Sequence, residues 1–247
     1  MLKTLETLSI RYNDLYGTIP EAYGEQLTRL SELHIVYTSI TGNIPNSFTN
    51  LSNLKRLDLS DNLLNGTIPS GLMDIDGLGL MDLSLNFFSG LIPNFSTEVG
   101  TLYYLSLRQN RLSGSIPPSV YSLTNLTHLG LGLNMLSGRI ESNIGDLTSL
   151  TKLDFDVNSL SSNLPTEIGR LSSLVSLVGG ANLMTGTVPT ELSQLPSLEV
   201  LDLRQNYFDG TIPSEISMLE RLAYIDVSTN LLTGVLPKNF ATMPSLG

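Results

Sequence analysis

An asparagine recurs at Asn62, Asn86, Asn110, Asn134, Asn158, Asn182, Asn206 and Asn230, at intervals of 24 residues, and the same leucine pattern surrounds every one. Extended backwards, the series reaches Thr38 and then, by one 25-residue step, Asn13, so ten consecutive copies of one unit make up the chain. The unit reads LxxLxxLxLxxNxLxGxIP, as in Leu51, Leu54, Leu57, Leu59, Asn62, Leu64, Gly66, Ile68 and Pro69. A copy of this size cannot bury its leucines alone. It can do so only against the copies before and after it, so the core is a continuous ladder whose stability is roughly a sum of nearest-neighbour terms. Counting domains from chain length therefore does not apply, and the expectation is one domain over 1–247.

Within each copy, the alternating segment before the asparagine, as in Leu57-Asp58-Leu59 or Leu201-Asp202-Leu203, has the period of a strand with one buried face. Stacked copies then form one parallel sheet. The two leucines point inward, while the residue between them and the two that follow face outward on the concave side. The asparagine stands where the chain leaves the sheet and turns. Its amide carries two donors and an acceptor, enough to satisfy backbone groups that would otherwise cost about 1–3 kcal/mol each. The column of asparagines, Asn13 included, is thus a structural ladder. The glycine four places later is expected to adopt a backbone shape closed to other residues. The proline after the next aliphatic residue fixes the return path and blocks a long convex helix.

These residues carry a family resemblance over nearly the whole chain. The LxGxIP unit is similar to the plant-type leucine-rich repeat of receptor-like kinases, receptor-like proteins and polygalacturonase-inhibiting proteins. The resemblance implies an α/β solenoid, a right-handed superhelix with one parallel concave β-sheet of short strands. A second short strand is implied near the LxGxIP segment, with turns and 3-10 segments on the convex side. It also implies recognition of peptides, proteins or small ligands at the cell surface.

Departures from the unit mark altered coils: Thr38 stands for the asparagine, Glu141 for the proline, Ser162 for the glycine and Gly179 for a buried leucine. Deleting a core leucine commonly costs about 2–5 kcal/mol unless neighbours fill the hole. One copy earlier the same position holds Phe155, whose ring is expected to lean into the space. At the ends, Leu2 occupies the first leucine position, while Met243 and Leu246 begin an eleventh copy. The cysteine-bearing caps of the family are missing from a chain with no cysteine, so a fragment of a longer protein is expected, with room for a kinase domain elsewhere.

A net charge of −10, with acids spread along the chain and no basic stripe, argues against nucleic acid as a partner. No apolar run approaches the ~18 residues needed to span a bilayer. Glycosylation triplets occur at Asn50, Asn65, Asn94 and Asn125, about as many as chance supplies. They permit an extracellular or cell-surface setting, with a cytoplasmic one as the alternative.

No catalytic, cofactor or metal site is expected. The two histidines, His34 and His128, stand about four coils or ~19 Å apart, and no hydrolase, protease, nucleotide-binding or kinase motif appears. Asp58 stacks beside Asp82, and Asp202 beside Asp226, at the same outward position. Such pairs could act as acid and nucleophile or hold Ca²⁺. The plainer reading is solvated consensus aspartates balanced by neighbours such as Arg56 and Arg204.

A change of texture between copies four and six is the better candidate for function. Outward positions there become apolar or small: Leu80, Leu85, Phe87, Tyr104, Gly130, Gly132, Leu133 and Met135, edged by Asp82, Arg108 and His128. Apolar patches rimmed by polar groups usually mark interaction sites. A weaker group comprises Arg11, Tyr12, His34 and Tyr37. The expectation is a non-catalytic module that binds a protein or peptide ligand on its concave and lateral surface, as a segment of a receptor-like protein. Ten strands would span about 45 Å. The alternative is a soluble inhibitor or adaptor of the polygalacturonase-inhibitor kind.

Overall fold

The computed structural model describes residues 4–95 and 100–242. They group into two compact units, Met1–Leu126 and Thr127–Gly247. The terminal leucine positions at Leu2, Met243 and Leu246 lie outside the described residues.

In the first unit the strands Thr7–Arg11, Glu32–Val36, Arg56–Asp58, Leu80–Asp82 and Tyr104–Ser106 pair in parallel, each with the next. Their register stacks Leu8, Leu33, Leu57, Met81 and Leu105 in one column. Leu33, Leu57, Met81 and Leu105 are fully buried, while Leu8, in the first coil, is half-buried. The second unit repeats the plan with His128–Gly130, Lys152–Asp154, Ser176–Val178, Val200–Asp202 and Tyr224–Asp226. The inward positions are buried in most coils, while the residue between them is half-buried at Asp58, Asp82, Asp154, Val178 and Asp226 but buried at His34, Ser106, Gly130 and Asp202.

The expected second strand is present where the glycine lies. It comprises Tyr16–Thr18, Ser39–Gly42, Leu63–Leu64, Ser89–Leu91 and Arg111–Gly114 in the first unit. Met135–Gly138, Ser159–Ser162, Leu183–Thr187 and Tyr207–Asp209 follow in the second. After it comes a five-residue 3-10 helix, such as Thr166–Arg170 or Thr190–Gln194, preceded by proline in an extended conformation. In the coil where Glu141 replaces the proline, the backbone keeps that shape (φ −78°, ψ 155°), and Arg139 Nε donates to the Glu141 carboxylate at 3.0 Å. Proline sets the path; the stacking holds it without proline. One coil differs, with an α-helix over Ala22–Gln26.

The asparagine ladder works as its chemistry requires. Asn86 Nδ2 donates to Leu59 O (2.9 Å), Ser84 O (3.0 Å) and Leu83 O (3.3 Å), and Leu64 N donates to its Oδ1 at 3.0 Å. One side chain therefore closes its own turn and ties it to the preceding coil. Asn62, Asn182 and Asn206 are equally buried, and Asn110, Asn158 and Asn230 repeat the reach into the coil before. Asn134 donates to Leu131 O and Gly132 O. Asn13 departs from the expectation: it is exposed and, among the described residues, donates only within its own turn, to Arg11 O at 2.8 Å. Thr38 substitutes by donating its hydroxyl and its backbone N–H to Asn62 Oδ1, accepting from Ile40 N in turn.

The space above Gly179 is filled as expected. A Cβ placed there would overlap Cε2 and Cζ of Phe155, which is buried.

Candidate functional site

One conformational feature positions the outward side chains and has no counterpart in the leucine pattern. The residue before each ladder position is left-handed without being glycine: Tyr12, Tyr37, Asp61, Leu85, Gln109, Leu133, Val157, Ala181, Gln205 and Thr229 all have φ between 48° and 56°. A left-handed non-glycine residue costs roughly 1–2 kcal/mol. The ladder amides hold this turn closed, and the left-handed step swings the side chain out toward solvent. Leu85 is therefore 40 % exposed although it lies one residue from the buried Asn86.

In the first unit this turn forms one wall of an open groove of about 330 Å³ lined by Asp61, Leu63, Leu85, Phe87, Gln109 and Arg111 with the ladder residues between them. Leu63, Leu85 and Phe87 present exposed apolar surface. The Arg111 guanidinium lies 4.7 Å from the centre of the Phe87 ring, a cation–π contact. The groove thus has an apolar floor, a carboxylate at one end and a guanidinium at the other. Sequence reasoning named Leu85 and Phe87 but missed Leu63 and Arg111. The signal was there, because both occupy the same place in their copies as Phe87, directly after the asparagine.

The other candidates of this unit sit on the strand face. Leu80 pairs with Tyr104 across adjacent strands, and the Tyr104 hydroxyl donates to Asp82 Oδ2 at 3.3 Å. Burial pushes the Tyr104 phenol up to about 12, and the Asp82 charge pushes the same way. Burial also raises the Asp82 carboxyl, with the Asp58 charge adding to it, against hydrogen bonds from Ser84 that lower it. Arg108 is half-buried, and its carbonyl accepts from Leu85 N at 2.9 Å.

In the second unit His128 is half-buried, and burial followed by the Lys152 charge lowers its pKa, leaving it neutral near pH 7. Gly130 and Gly132 are buried, Leu133 is half-buried and Met135 is exposed.

The aspartate pairs stand in the expected register, Asp58 opposite Asp82 and Asp202 opposite Asp226. Arg204 serves both members of its pair, at 3.1 Å and 3.8 Å. The expected role of Arg56 is corrected: it turns to Glu32 at 3.4 Å, and the charge beside Asp58 is Arg11 at 3.7 Å. In the weaker cluster, His34 lies between Glu32 (3.5 Å) and Asp58 (3.8 Å), and the rings of Tyr12 and Tyr37 are 5.6 Å apart. Among the described residues, no group of three or more histidine, aspartate or glutamate side chains is arranged to hold a metal ion. Asn50, Asn65, Asn94 and Asn125 are all exposed.

Comparison with known proteins agrees with this architecture. Leucine-rich-repeat family models match residues 28–88, 101–123 and 197–219. No curated protein matches the sequence. Among solved structures, a TDR receptor is 30 % identical with a TM-score of 0.86, covering 98 % of this chain and 46 % of its own. The plant peptide hormone receptor RGFR1, solved in complex with RGF2, is 25 % identical with a TM-score of 0.84, covering 100 % of this chain and 47 % of its own. The chain thus spans about half the length of these receptor structures. A plant ice-binding protein is 28 % identical with a TM-score of 0.81, covering 94 % of this chain and 74 % of its own. Among the described residues, no helix is long and apolar enough to cross a membrane.

Proposed function

We propose, for a chain that is a plant-type leucine-rich-repeat protein, that it acts as a recognition module without chemistry of its own, taking a peptide or a protein segment on its concave and lateral surface as part of a receptor-like protein at the cell surface. The observation that carries the reading is the groove of the first unit. An apolar floor of Leu63, Leu85 and Phe87 between Asp61 and Arg111 suits an extended segment with a bulky apolar side chain between polar groups. The similarity to a receptor solved with its peptide hormone partner supports a ligand of that class. Capture from a pool of secreted peptides by the immobilised chain, followed by calorimetry on the peptide recovered, tests it. Leu85→Asp, in the floor of the groove, should abolish binding and leave the circular dichroism unchanged, since aspartate tolerates the left-handed backbone there. Undiminished binding by that variant would move the site elsewhere.

A further inference from the structure

The groove of the first unit ends in charges that no described side chain neutralises. Among the described residues, neither Asp61 nor Arg111 has an ion-pair partner, whereas Arg11, Arg56, Arg139 and Arg204 each face a carboxylate. In a chain of net charge −10, a guanidinium without an acid beside it is the exception. Arg111 lies instead against the Phe87 ring, 4.7 Å from its centre. The ring takes one face of the planar group. The N–H edge has no partner among the described residues, and Arg111 is exposed. That edge is the one with which arginine holds a carboxylate through a pair of parallel hydrogen bonds.

At the Asp61 end the surface continues into a second hollow of about 340 Å³, lined by Asp14, Asp61 and Tyr37 with Asn13, Thr38 and Ser39 between them. Asp14 likewise has no ion pair among the described residues, so two unpaired carboxylates share one hollow. Tyr37 is exposed, and the ring of Tyr12, also exposed, stands 5.6 Å from it. Carboxylates beside exposed rings suit a cation, which is drawn by the charge and by the ring quadrupole together. Asp61 is half-buried, so salt screens it less than a fully exposed acid. The two hollows share Asp61, and the order along this lateral face is negative and aromatic, then apolar, then positive. The dimensions suit a short stretch of chain. Asp61 and Arg111 belong to coils two apart, about 10 Å along the stack at ~4.8 Å per coil, and further on the diagonal, since one precedes and the other follows a ladder asparagine. An extended segment turns a side chain to the same side every ~7 Å. A basic, an apolar and an acidic residue at alternate positions therefore span about 14 Å, and a basic stem reaching past Asp61 toward Asp14 takes up the difference.

We infer that the partner segment carries both charges: a basic side chain enters the hollow of Asp14 and Asp61, an apolar one lies on Leu63, Leu85 and Phe87, and an acidic one meets Arg111. This inference rests on the peptide reading above and goes further by giving the ligand's charges their places. The probes are acetylated, amidated serine-rich peptides with lysine, leucine and aspartate at alternate positions, and the same peptides with lysine or with aspartate at both charged positions. The mixed peptide is made in both orders, because the groove fixes where each charge lies and not the direction of the bound chain. Ligand-observed NMR titrations against the full chain read the affinities. The better mixed peptide should bind the parent about fivefold more tightly than either like-charged form, the worth of one exposed ion pair. R111D should shift the preference to the two-lysine form by a similar factor. D14N with D61N should bind the two-aspartate form as well as the mixed one. Circular dichroism shows which variants fold, and if R111D does not, the second variant decides. A parent that takes peptides from the secreted pool but binds these probes without regard to charge, or binds none of them, overturns the charge assignment alone. A parent that takes no peptide from the pool overturns the reading beneath it as well.

Discussion

The pairing of Phe155 with Gly179 offers a sharp test of how the coils share their core. Each residue departs from leucine at an inward position, and the ring of one fills the space that the other leaves. Phe155→Leu removes the ring atoms that reach over Gly179, and the hole that opens cannot be filled from a glycine. We expect a loss of about 2 kcal/mol, above that of an ordinary volume-conserving core swap. Gly179→Leu alone forces a side chain into space the ring occupies, and overpacking of this kind costs about 1–3 kcal/mol. The double variant restores two stacked leucines and should lie within about 1 kcal/mol of the parent, giving a coupling energy of about 3 kcal/mol, at the top of the range for residues in contact. Urea unfolding followed by circular dichroism reads all four corners of the cycle, with unchanged slopes confirming a common transition. Additive losses would refute the reasoning, because they would mean that ring and glycine occupy independent sites.

Three further outcomes follow from the geometry. Asn86→Ala leaves three carbonyls and one N–H with fewer partners in a buried turn and should cost about 3 kcal/mol or more by urea unfolding, whereas Asn13→Ala, at the exposed end of the ladder, should cost under about 1 kcal/mol. Val157→Asn should stabilise by about 1 kcal/mol, since Val157 is β-branched, exposed and left-handed, a conformation that asparagine accepts; an unchanged midpoint would show that the backbone there carries no strain. Asp82→Asn should stabilise the fold at pH 7, with the gain fading under acid. Burial raises the Asp82 carboxyl in the folded state, so the folded chain binds that proton more tightly than the unfolded one, and stability is lost as pH rises through the folded value. A gain that stayed constant from pH 7 down through the carboxylate range would separate the effect from titration.

The parts of this molecule readable from its sequence are those set by periodicity. Inward leucines, the ladder amides and the register of Asp58 with Asp82 all follow from a unit that repeats without drift, because stacking leaves each position one environment. The fit of Phe155 over Gly179 was legible for the same reason, since two departures at one column in adjacent coils must answer each other. What the pattern did not reveal was backbone conformation without a glycine to announce it. Leu85, Val157 and Gln205 share a left-handed turn yet have no chemistry in common, so nothing in their identities marks it. Ion-pair choice was equally hidden: Arg56 could reach Asp58 or Glu32 from the same strand, and rotamers rather than spacing decided for Glu32.

That left-handed turn also separates two edges of each coil that differ in what they can encode. Before the ladder residue the chain is held by amides reaching from below, and its outward side chains vary freely in kind: aspartate, leucine, glutamine, alanine. After the glycine the outward side chain is constrained by the notch of the next coil, and threonine or asparagine fills most such places with a narrow range of shapes. A surface that varies from coil to coil can encode one partner's sequence, and the groove of Leu63, Leu85, Phe87 and Arg111 is of this kind. Recognition of a peptide therefore belongs to the edge around the ladder residue, and a substitution after the glycine of the same unit, such as Thr67→Ser, should leave that binding intact.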